Sequence, residues 1–551
     1  VKKSILKLKP ADNLWVALVD LPAGSTHDLN GVSLTLKEDV SAKHKFNECD
    51  LAEGEDLIQY GVLVGRAKMA IPAGSKISTQ NTTHAAQAYE SSDDTPFQWS
   101  APVVEAWKNR TFMGYHRPDG RVGTANHWLV IPLVFCQNRN LSILREVMLR
   151  ELGYNKTETY HSSMQSLAEL CRSGATPEEV LAWKPGAVTK SEPCDKLFPN
   201  VDGVKFLLHE GGCGGTREDS DALCALLAGY VTHPNVAGVT VLSLGCQHAQ
   251  IEILKKEIEK RSPELSKPLY IFEQQGFSSE EEMIQASMQQ TMAGLMEANR
   301  YKREPAPLSK LVFGVECGGS DGFSGLSANP SIGQCSDYLV ALGGSVMLSE
   351  FPELCGVEQD LINRCTSVEI SERFQNILQA YASRAEAVGS GFDMNPSPGN
   401  IRDGLITDAM KSAGAALKGG SSPICGVLDY TEPCRSKGLN LLCTPGNDVE
   451  STTALAGSGA NVILFSTGLG TPTGNPIVPV IKVSSNTDVF QRLSDIIDID
   501  TGAVIRGEVN LEEMGAKLLE LSIQVASGEV TPKAVMLGQD DFIPWKRGVS
   551  L

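Results

Sequence analysis

Three times in this chain an apolar run ends at a turn where glycine flanks a cysteine. Val204–Leu208 leads into His209-Glu210-Gly211-Gly212-Cys213-Gly214-Gly215. Val239–Leu244 leads into Gly245-Cys246-Gln247-His248, and Lys310–Val315 into Glu316-Cys317-Gly318-Gly319-Ser320-Asp321. An apolar strand, a glycine turn and a following helix are how an open α/β fold presents backbone N–H groups and one reactive side chain at a strand's carboxyl end. The pattern continues around these turns: strand 204–208, helix 219–230, strand 239–244, helix 248–261, strand 269–272, helix 279–301. After the proline-marked break Glu304-Pro305-Ala306-Pro307 come strand 310–315, a helix near 331–341, strand 344–349 and helix 358–386. Strand 461–466 and helices near 486–497 and 509–527 close the chain. This alternation predicts an α/β protein with parallel sheets covered by helices.

The first 92 residues differ. Short apolar runs at Trp15–Val19, Val32–Leu36, Leu63-Val64 and Lys76–Ser78 alternate with glycine turns, which predicts a small β-rich domain. The polar stretch 93–112 reads as a linker, so the chain is expected to divide into 1–92, 93–112, 113–303 and 304–551. A net charge of −18 argues against a nucleic-acid or anionic-membrane partner, each of which needs basic patches. No apolar run reaches the roughly 18 residues needed to span a bilayer. The opening VKKSILKLKPADN has no apolar core of the secretory kind, so a cytoplasmic, reducing setting is expected. There the 14 cysteines are thiols, most of them small core residues. Cys213, Cys246 and Cys317 stand apart by their glycine turns, with Cys136, at the end of the apolar run from Trp128, as a fourth candidate.

Several segments carry a specific resemblance: KHKF at 43–46, QYGVLVGRA at 59–67, GYHRPDGRVGTAN at 114–126 and LGCQHAQ at 244–250. ECGGSDGFSGLSANPSIG at 316–333, NPSPGN at 395–400 and TPGNDVESTTALAGSGANVILFSTGLGTPTGNP at 444–476 complete the set. In these the chain resembles the altronate/galactarate dehydratase family, along nearly its whole length. The resemblance implies a small SAF-type N-terminal domain followed by two catalytic-region domains. It also implies dehydration of a dihydroxy sugar acid to a 2-keto-3-deoxy acid, dependence on a divalent metal (Fe²⁺, or Mn²⁺), and a homo-oligomer, expected to be a dimer. The chain reads Ser78-Thr79-Gln80-Asn81 where the family usually reads His-Thr-His-Asn.

Dehydrating a hydroxy acid requires a base for the C2 proton, a stabiliser for the enolate, and help for hydroxide leaving C3; a Lewis-acid metal serves the last two. Two metal arrangements are open. Thiolates at Cys213, Cys246 and Cys317 could hold an iron–sulfur cluster by three corners; alternatively His209, His248 and carboxylates such as Glu210 or Glu350 could hold one Fe²⁺ or Mn²⁺. His209 and His248 are the candidate bases. Arg117 and Arg121 offer guanidinium forks for the substrate carboxylate. Asp321 is a third candidate catalytic group, and Ser320, Ser324, Asn395, Asn400 and His44 are candidate substrate liners. The expected reaction is conversion of D-altronate to 2-dehydro-3-deoxy-D-gluconate and water. The alternatives are a galactarate dehydratase or a thiol or redox enzyme using the glycine-flanked cysteines.

Overall fold

The computed structural model describes residues 3–90, 97–155, 158–184 and 195–548. Residues 93–96 of the expected linker lie outside them. The fold is mixed α/β, with two all-parallel sheets behind a β-rich N-terminal region. The strands of the two parallel sheets are numbered here along the chain.

The first parallel sheet has four strands: β1 (His127–Pro132), β2 (Gly203–Phe206), β3 (Val236–Ser243) and β4 (Leu269–Glu273), in the order β2-β1-β3-β4. β1, β2 and β3 are buried along their whole length, which explains why they read as continuous apolar runs rather than alternating ones. The connecting helix α1 (Arg217–Thr232) starts where the sequence supplies a cap: the Thr216 hydroxyl accepts the Asp219 N–H, with Glu218 and Asp219 in the first turn.

The second sheet has seven strands. They are β5 (Val312–Cys317), β6 (Ser345–Leu348), β7 (Ile424–Leu428), β8 (Gly438–Leu442), β9 (Val462–Thr467), β10 (Val480–Ser484) and β11 (Ile499–Asp500). Their order is β7-β8-β6-β5-β9-β10-β11. From β5 the chain runs outward on one side through β6, then returns to the other side at β9, so the winding reverses between β5 and β9. In an open parallel sheet that reversal opens a crevice at the strands' carboxyl ends, the usual place for a ligand. Helices α2 (Ala328–Ala341) and α5 (Leu511–Ser527) pack together over this sheet.

Three local expectations differ from the structure. The helix over 358–386 is broken into Glu358–Asn363 and Val368–Ala387, because Ser367 adopts an extended conformation and caps the second piece at the Ile370 N–H. Lys76–Ser78 makes only an isolated bridge from Lys76 to Phe46. The latter half of the 93–112 segment is docked rather than free. The Trp107 indole N–H donates to Glu520 at 2.7 Å and its ring lies 5.1 Å from that of Tyr338. Thr111–His116 then pairs antiparallel with Glu304–Pro307, so the proline-marked break is itself an edge strand.

The N-terminal β region holds a sheet of Ile5–Leu6, Leu14–Ala17 and Lys45–Asn47, a Thr26–Thr35 hairpin, and a sheet of Asp56–Gln59, Val62–Ala67 and Thr82–Thr83. Its Lys43–Lys45 segment is joined to the larger sheet's loops. Lys43 Nζ reaches Asp321 at 3.1 Å and Asp403 at 2.9 Å, His44 Nε2 meets the Arg402 carbonyl at 3.0 Å, and Lys45 Nζ donates to the Gly404 carbonyl at 2.6 Å. No helix among the described residues is long and apolar enough to cross a membrane.

Candidate active site at the carboxyl edge of the seven-stranded sheet

β5 ends on Glu316-Cys317, and its neighbour β6 is followed by Ser349-Glu350. Parallel pairing therefore sets two acids and a thiol side by side, and the short turn Phe351–Leu354 brings in Glu353. The Cys317 Sγ and one carboxylate oxygen each of Glu350 and Glu353 lie within 4.8 Å of one another, all buried, and form a group that could hold a metal ion. Two lysines close the cluster. Lys418 Nζ stands 2.7 Å from Cys317 Sγ and 2.9 Å from Glu350, and Lys411 Nζ stands 2.5 Å from Glu353. Lys411, from helix α3 (Asp408–Ala415), also donates to the Asn395 side chain at 3.1 Å.

Packing so many charges out of water demands compensation, since an unpaired buried charge costs several kcal/mol. The structure compensates unevenly. Burial, and then the neighbouring Glu353, push the Glu350 carboxyl above its ordinary range. Burial pushes Glu353 the same way, but Lys411 and Lys418 outweigh it and hold that carboxyl below its ordinary range. Burial and both glutamates keep the Cys317 thiol protonated far above the usual thiol range. Glu316 is pushed well up by burial and by Glu350, and its Oε2 accepts from Ser349 at 2.7 Å and Ser451 at 2.5 Å. Asp448, opening helix α4 (Asp448–Gly457), is raised to about 7 by burial and by Glu350 and Glu353. Glu350 holds a left-handed backbone (φ +69°, ψ +63°), and its Oε1 is buried without a hydrogen-bond partner. Such a conformation is uncommon outside glycine, and a strained acid with one unpaired oxygen is poised to receive a proton or a ligand. Gly318 is required beside it: a Cβ there would sit 2.1 Å from Asp448 Oδ2.

Donor chemistry makes Cys317, Glu350 and Glu353 a possible metal-holding group, one soft sulfur with two carboxylates. As the side chains stand, the ammonium of Lys418 supplies the positive charge between Cys317 and Glu350, and Lys411 does so at Glu353. A divalent ion between Cys317 and Glu350 would have to displace the Lys418 ammonium, so these side chains as they stand do not fit one.

The residues singled out in the sequence separate in space. Cys317 is buried in the cluster, whereas Cys213 and Cys246 are exposed at the carboxyl edge of the four-stranded sheet; the three thiols do not share one ligand group among the described residues. His209 is not a free base. Its Nε2 meets the Pro132 carbonyl at 2.8 Å, its Nδ1 accepts the Gly211 N–H at 3.1 Å, and burial lowers it to about 4. His248 is exposed, on the turn after β3.

Arg117 and Arg121 lie before β1 and β3, at the amino edge of the four-stranded sheet, away from the edge where ligands bind in this architecture. Arg117 is buried with Nε on the Pro234 carbonyl at 2.7 Å and a terminal nitrogen on Asn126 at 2.9 Å. Arg121 pairs with Asp119 at 2.6 Å and donates to the Thr232 carbonyl at 2.7 Å. These forks are already filled.

Asp321 is structural too. Its Oδ1 accepts from the Phe323 N–H and the Ser324 and Ser485 hydroxyls, and its Oδ2 from Asn486 and Lys43. Ser324 is thereby used up, Ser320 gives its carbonyl to Asn400 at 2.8 Å, and Asn400 also caps its own helix with Ser397. His44 anchors the small domain. Of the expected liners only Asn395 touches the charged cluster, through Lys411. Cys317 and Glu350 are among the metal ligands expected from the sequence. Glu353, Lys411 and Lys418 carry no local signature of the site; Glu316, a glutamate at the end of an apolar strand, is a local sign of a buried charge.

Lys45 has a measurable consequence. Burial lowers it to about 7, so the folded state prefers it neutral while the unfolded chain keeps its proton up to its ordinary value of 10.5. Between those limits the unfolded state binds more protons, and stability rises with pH by at most about 1.4 kcal/mol per unit from this group. Lys45→Met is expected to flatten that part of the rise, read by urea unfolding at pH 7 and 9. Buried Lys482, also lowered to about 7, and Lys267, lowered well below its ordinary value by burial, contribute to the remainder.

A cavity of about 840 Å³ lies between the two sheets' carboxyl edges. His209–Gly214 line one wall; Tyr430, which follows β7, and Phe542–Lys546 line the other.

Family models match the chain in three successive segments. Residues 3–85 match the altronate/galactarate dehydratase SAF domain, 114–299 the second domain of D-galactarate dehydratase/altronate hydrolase, and 308–550 the D-galactarate/altronate dehydratase C-terminal domain. The three matches define a sugar-acid dehydratase, a hydro-lyase built on an α/β scaffold. The chain belongs to the altronate/galactarate dehydratase family. It is 31% identical to the altronate dehydratase of Bacillus subtilis (strain 168) over 528 residues and 32% identical to that of Escherichia coli (strain K12) over 526. In each case 96% of both chains is covered. It is 30% identical to the galactarate dehydratase (L-threo-forming) of Escherichia coli (strain K12), over 95% of this chain and 93% of that one.

Proposed function

We propose that the protein dehydrates D-altronate to 2-dehydro-3-deoxy-D-gluconate and water. The observation that carries this reading is the buried Glu350–Cys317–Lys418 cluster at the carboxyl edge beside the reversal of strand order, in a chain aligned end to end with altronate dehydratases. Glu350, with its raised carboxyl and unpaired Oε1, takes the proton from C2. The C2–H electron pair forms the C2=C3 bond, hydroxide leaves C3, and with a proton it becomes water. The enol then gains a proton at C3 and becomes the 2-keto acid. The Lys411 and Lys418 ammoniums offset the charge that builds on the substrate carboxylate during proton loss.

The family resemblance adds a divalent metal to this reading, Fe²⁺ or Mn²⁺. Such an ion would supply Lewis-acid help only with Lys418 displaced from between Cys317 and Glu350.

Altronate is placed ahead of galactarate because the two altronate dehydratases match at 31% and 32% identity over 96% of both chains, and the galactarate dehydratase at 30% over 95% and 93%. The test is the purified full chain with D-altronate and galactarate, following the 2-keto-3-deoxy product by proton NMR. Turnover of altronate at least ten times faster than galactarate is expected. The reverse preference would move the assignment to the diacid. Turnover of neither would sink the dehydratase reading.

A further inference from the structure

We infer that a recess between the amino edges of the two parallel sheets binds a small organic anion, a carboxylate or a phosphate ester, through Arg261, Arg435 and Ser458. A second cavity, of about 690 Å³, lies there. Its wall is made of segments that lead into strands: Thr232-His233 before β3, Ser262–Ser266 before β4, Pro433–Arg435 before β8 and Ser458-Gly459 before β9. Both sheets contribute to it, at the edge opposite the Cys317 cluster. Helices α1 and α4 meet backbone to backbone at this wall, where a Cβ on Gly229 would lie 2.1 Å from the Gly457 carbonyl oxygen.

Two polar atoms on the residues of this wall are unsatisfied. Arg261 Nε and Ser458 Oγ are buried without a hydrogen-bond partner, and Ser458 is only 2% exposed. An unpaired buried polar group is costly, and two of them on one cavity point to a ligand that takes both. Both can donate, and Arg261 can only donate, so the ligand brings acceptor oxygens. Charge agrees with that. The guanidiniums of Arg121, Arg261 and Arg435 line the cavity against the carboxylates of Asp119 and Glu264. Asp119 is paired with Arg121, and Glu264 is exposed. Glu257 and Glu432, which also act on Arg261, are paired with Lys260 and Arg373. Burial lowers Arg261 to about 10, and Arg435 and Arg121 push it the same way. In a chain of net charge −18 this is a local excess of positive charge. The carbonyls at the end of α1 are already covered, Thr232 by Arg121 and His233 by Lys267, each at 2.7 Å. One terminal nitrogen of Arg261 goes to the Thr431 carbonyl and one of Arg435 to the Lys260 carbonyl at 3.2 Å, which hold the two side chains in place. Guanidinium groups suit carboxylate and phosphate oxygens, and the volume leaves room for the body that carries them. A ligand here touches both α/β domains without reaching the carboxyl edge, so it acts as an effector rather than a substrate. The inference goes beyond the dehydratase reading and does not rest on it.

The test is titration calorimetry on the full chain with three probes: inorganic phosphate, D-gluconate and D-glucose 6-phosphate. At least one organic probe is expected to bind, with Kd raised at least about tenfold by Arg261→Gln and by Arg435→Gln. Arg435 is exposed, so its variant keeps the fold, which circular dichroism checks. Ser458→Ala should weaken binding about threefold or more while the melting temperature holds or rises, because alanine removes a hydroxyl that has no partner. A serine kept only for structure would give the opposite pair of results. Glu350→Gln should bind as the unmodified chain does, which separates this site from the catalytic cluster. Gluconate binding assigns a carboxylate ligand and glucose 6-phosphate binding a phosphate ester. Binding of none of the three, of inorganic phosphate alone, or an affinity that survives both arginine variants would each overturn the inference.

Discussion

Lys418→Met should cut altronate turnover by a factor on the order of 10³ and lower the unfolding free energy by about 3–5 kcal/mol. The lysine is 1% exposed and its ammonium is shared between Cys317 Sγ at 2.7 Å and Glu350 at 2.9 Å. Removing it leaves Glu350 buried beside Glu353 with no cation of its own, so Glu350 takes up a proton and can no longer accept one from C2. The double variant Lys418→Met/Glu350→Gln removes both charges together. It should recover much of the lost stability and none of the activity. Stability is read by urea unfolding and turnover by product formation. A single variant that keeps wild-type turnover would remove the cluster from the reaction.

Asp321→Ala carries the second large effect, and it falls on assembly rather than chemistry. Asp321 is fully buried and accepts from Phe323, Ser324, Ser485 and Asn486 while pairing with Lys43 of the small domain. Alanine strands these donors, and breaking a buried pair of this kind costs about 3–5 kcal/mol. The expected results are a clear fall in melting temperature and faster limited proteolysis between the small domain and the rest, at about residue 90. Lys43→Met, which leaves the other four donors satisfied, should show the proteolysis with a smaller loss of stability. Unchanged proteolysis in both variants would mean that the small domain is held by its other contacts.

Much of the scaffold was legible because its determinants are local. β3 and β9 are continuous apolar runs of the length and residue types of buried strands. Helices α1 and α5 begin at Thr216 and Asn510, whose side chains cap the first turn within three residues. The turns after β2, β3 and β5 announced themselves by glycine. Where a local sign was weak, the reading slipped, as at Ser367, a lone serine inside a long helical pattern.

The grouping of side chains was not legible. Cys213, Cys246 and Cys317 share a local signature, yet the first two sit on one sheet and the third on another. His209 looked like a base because of its neighbours in the chain, but the Pro132 carbonyl, 77 positions away, takes its ring nitrogen. Lys418 reaches Cys317 across 101 positions and Glu350 across 68.

By itself, then, the amino-acid order determined the kinds of element, where strands end in glycine turns, and the family. The elements and turns follow from hydropathy period, caps and turn chemistry, which act over a few residues; the family follows from the resemblance of short motifs. Only the tertiary structure decided which thiol joins which carboxylate, that two lysines fill the place of a cation, and that the arginines are spent at the opposite edge. Those outcomes depend on strand order and parallel register, through which residues remote in sequence share one buried space and must balance one another's charge.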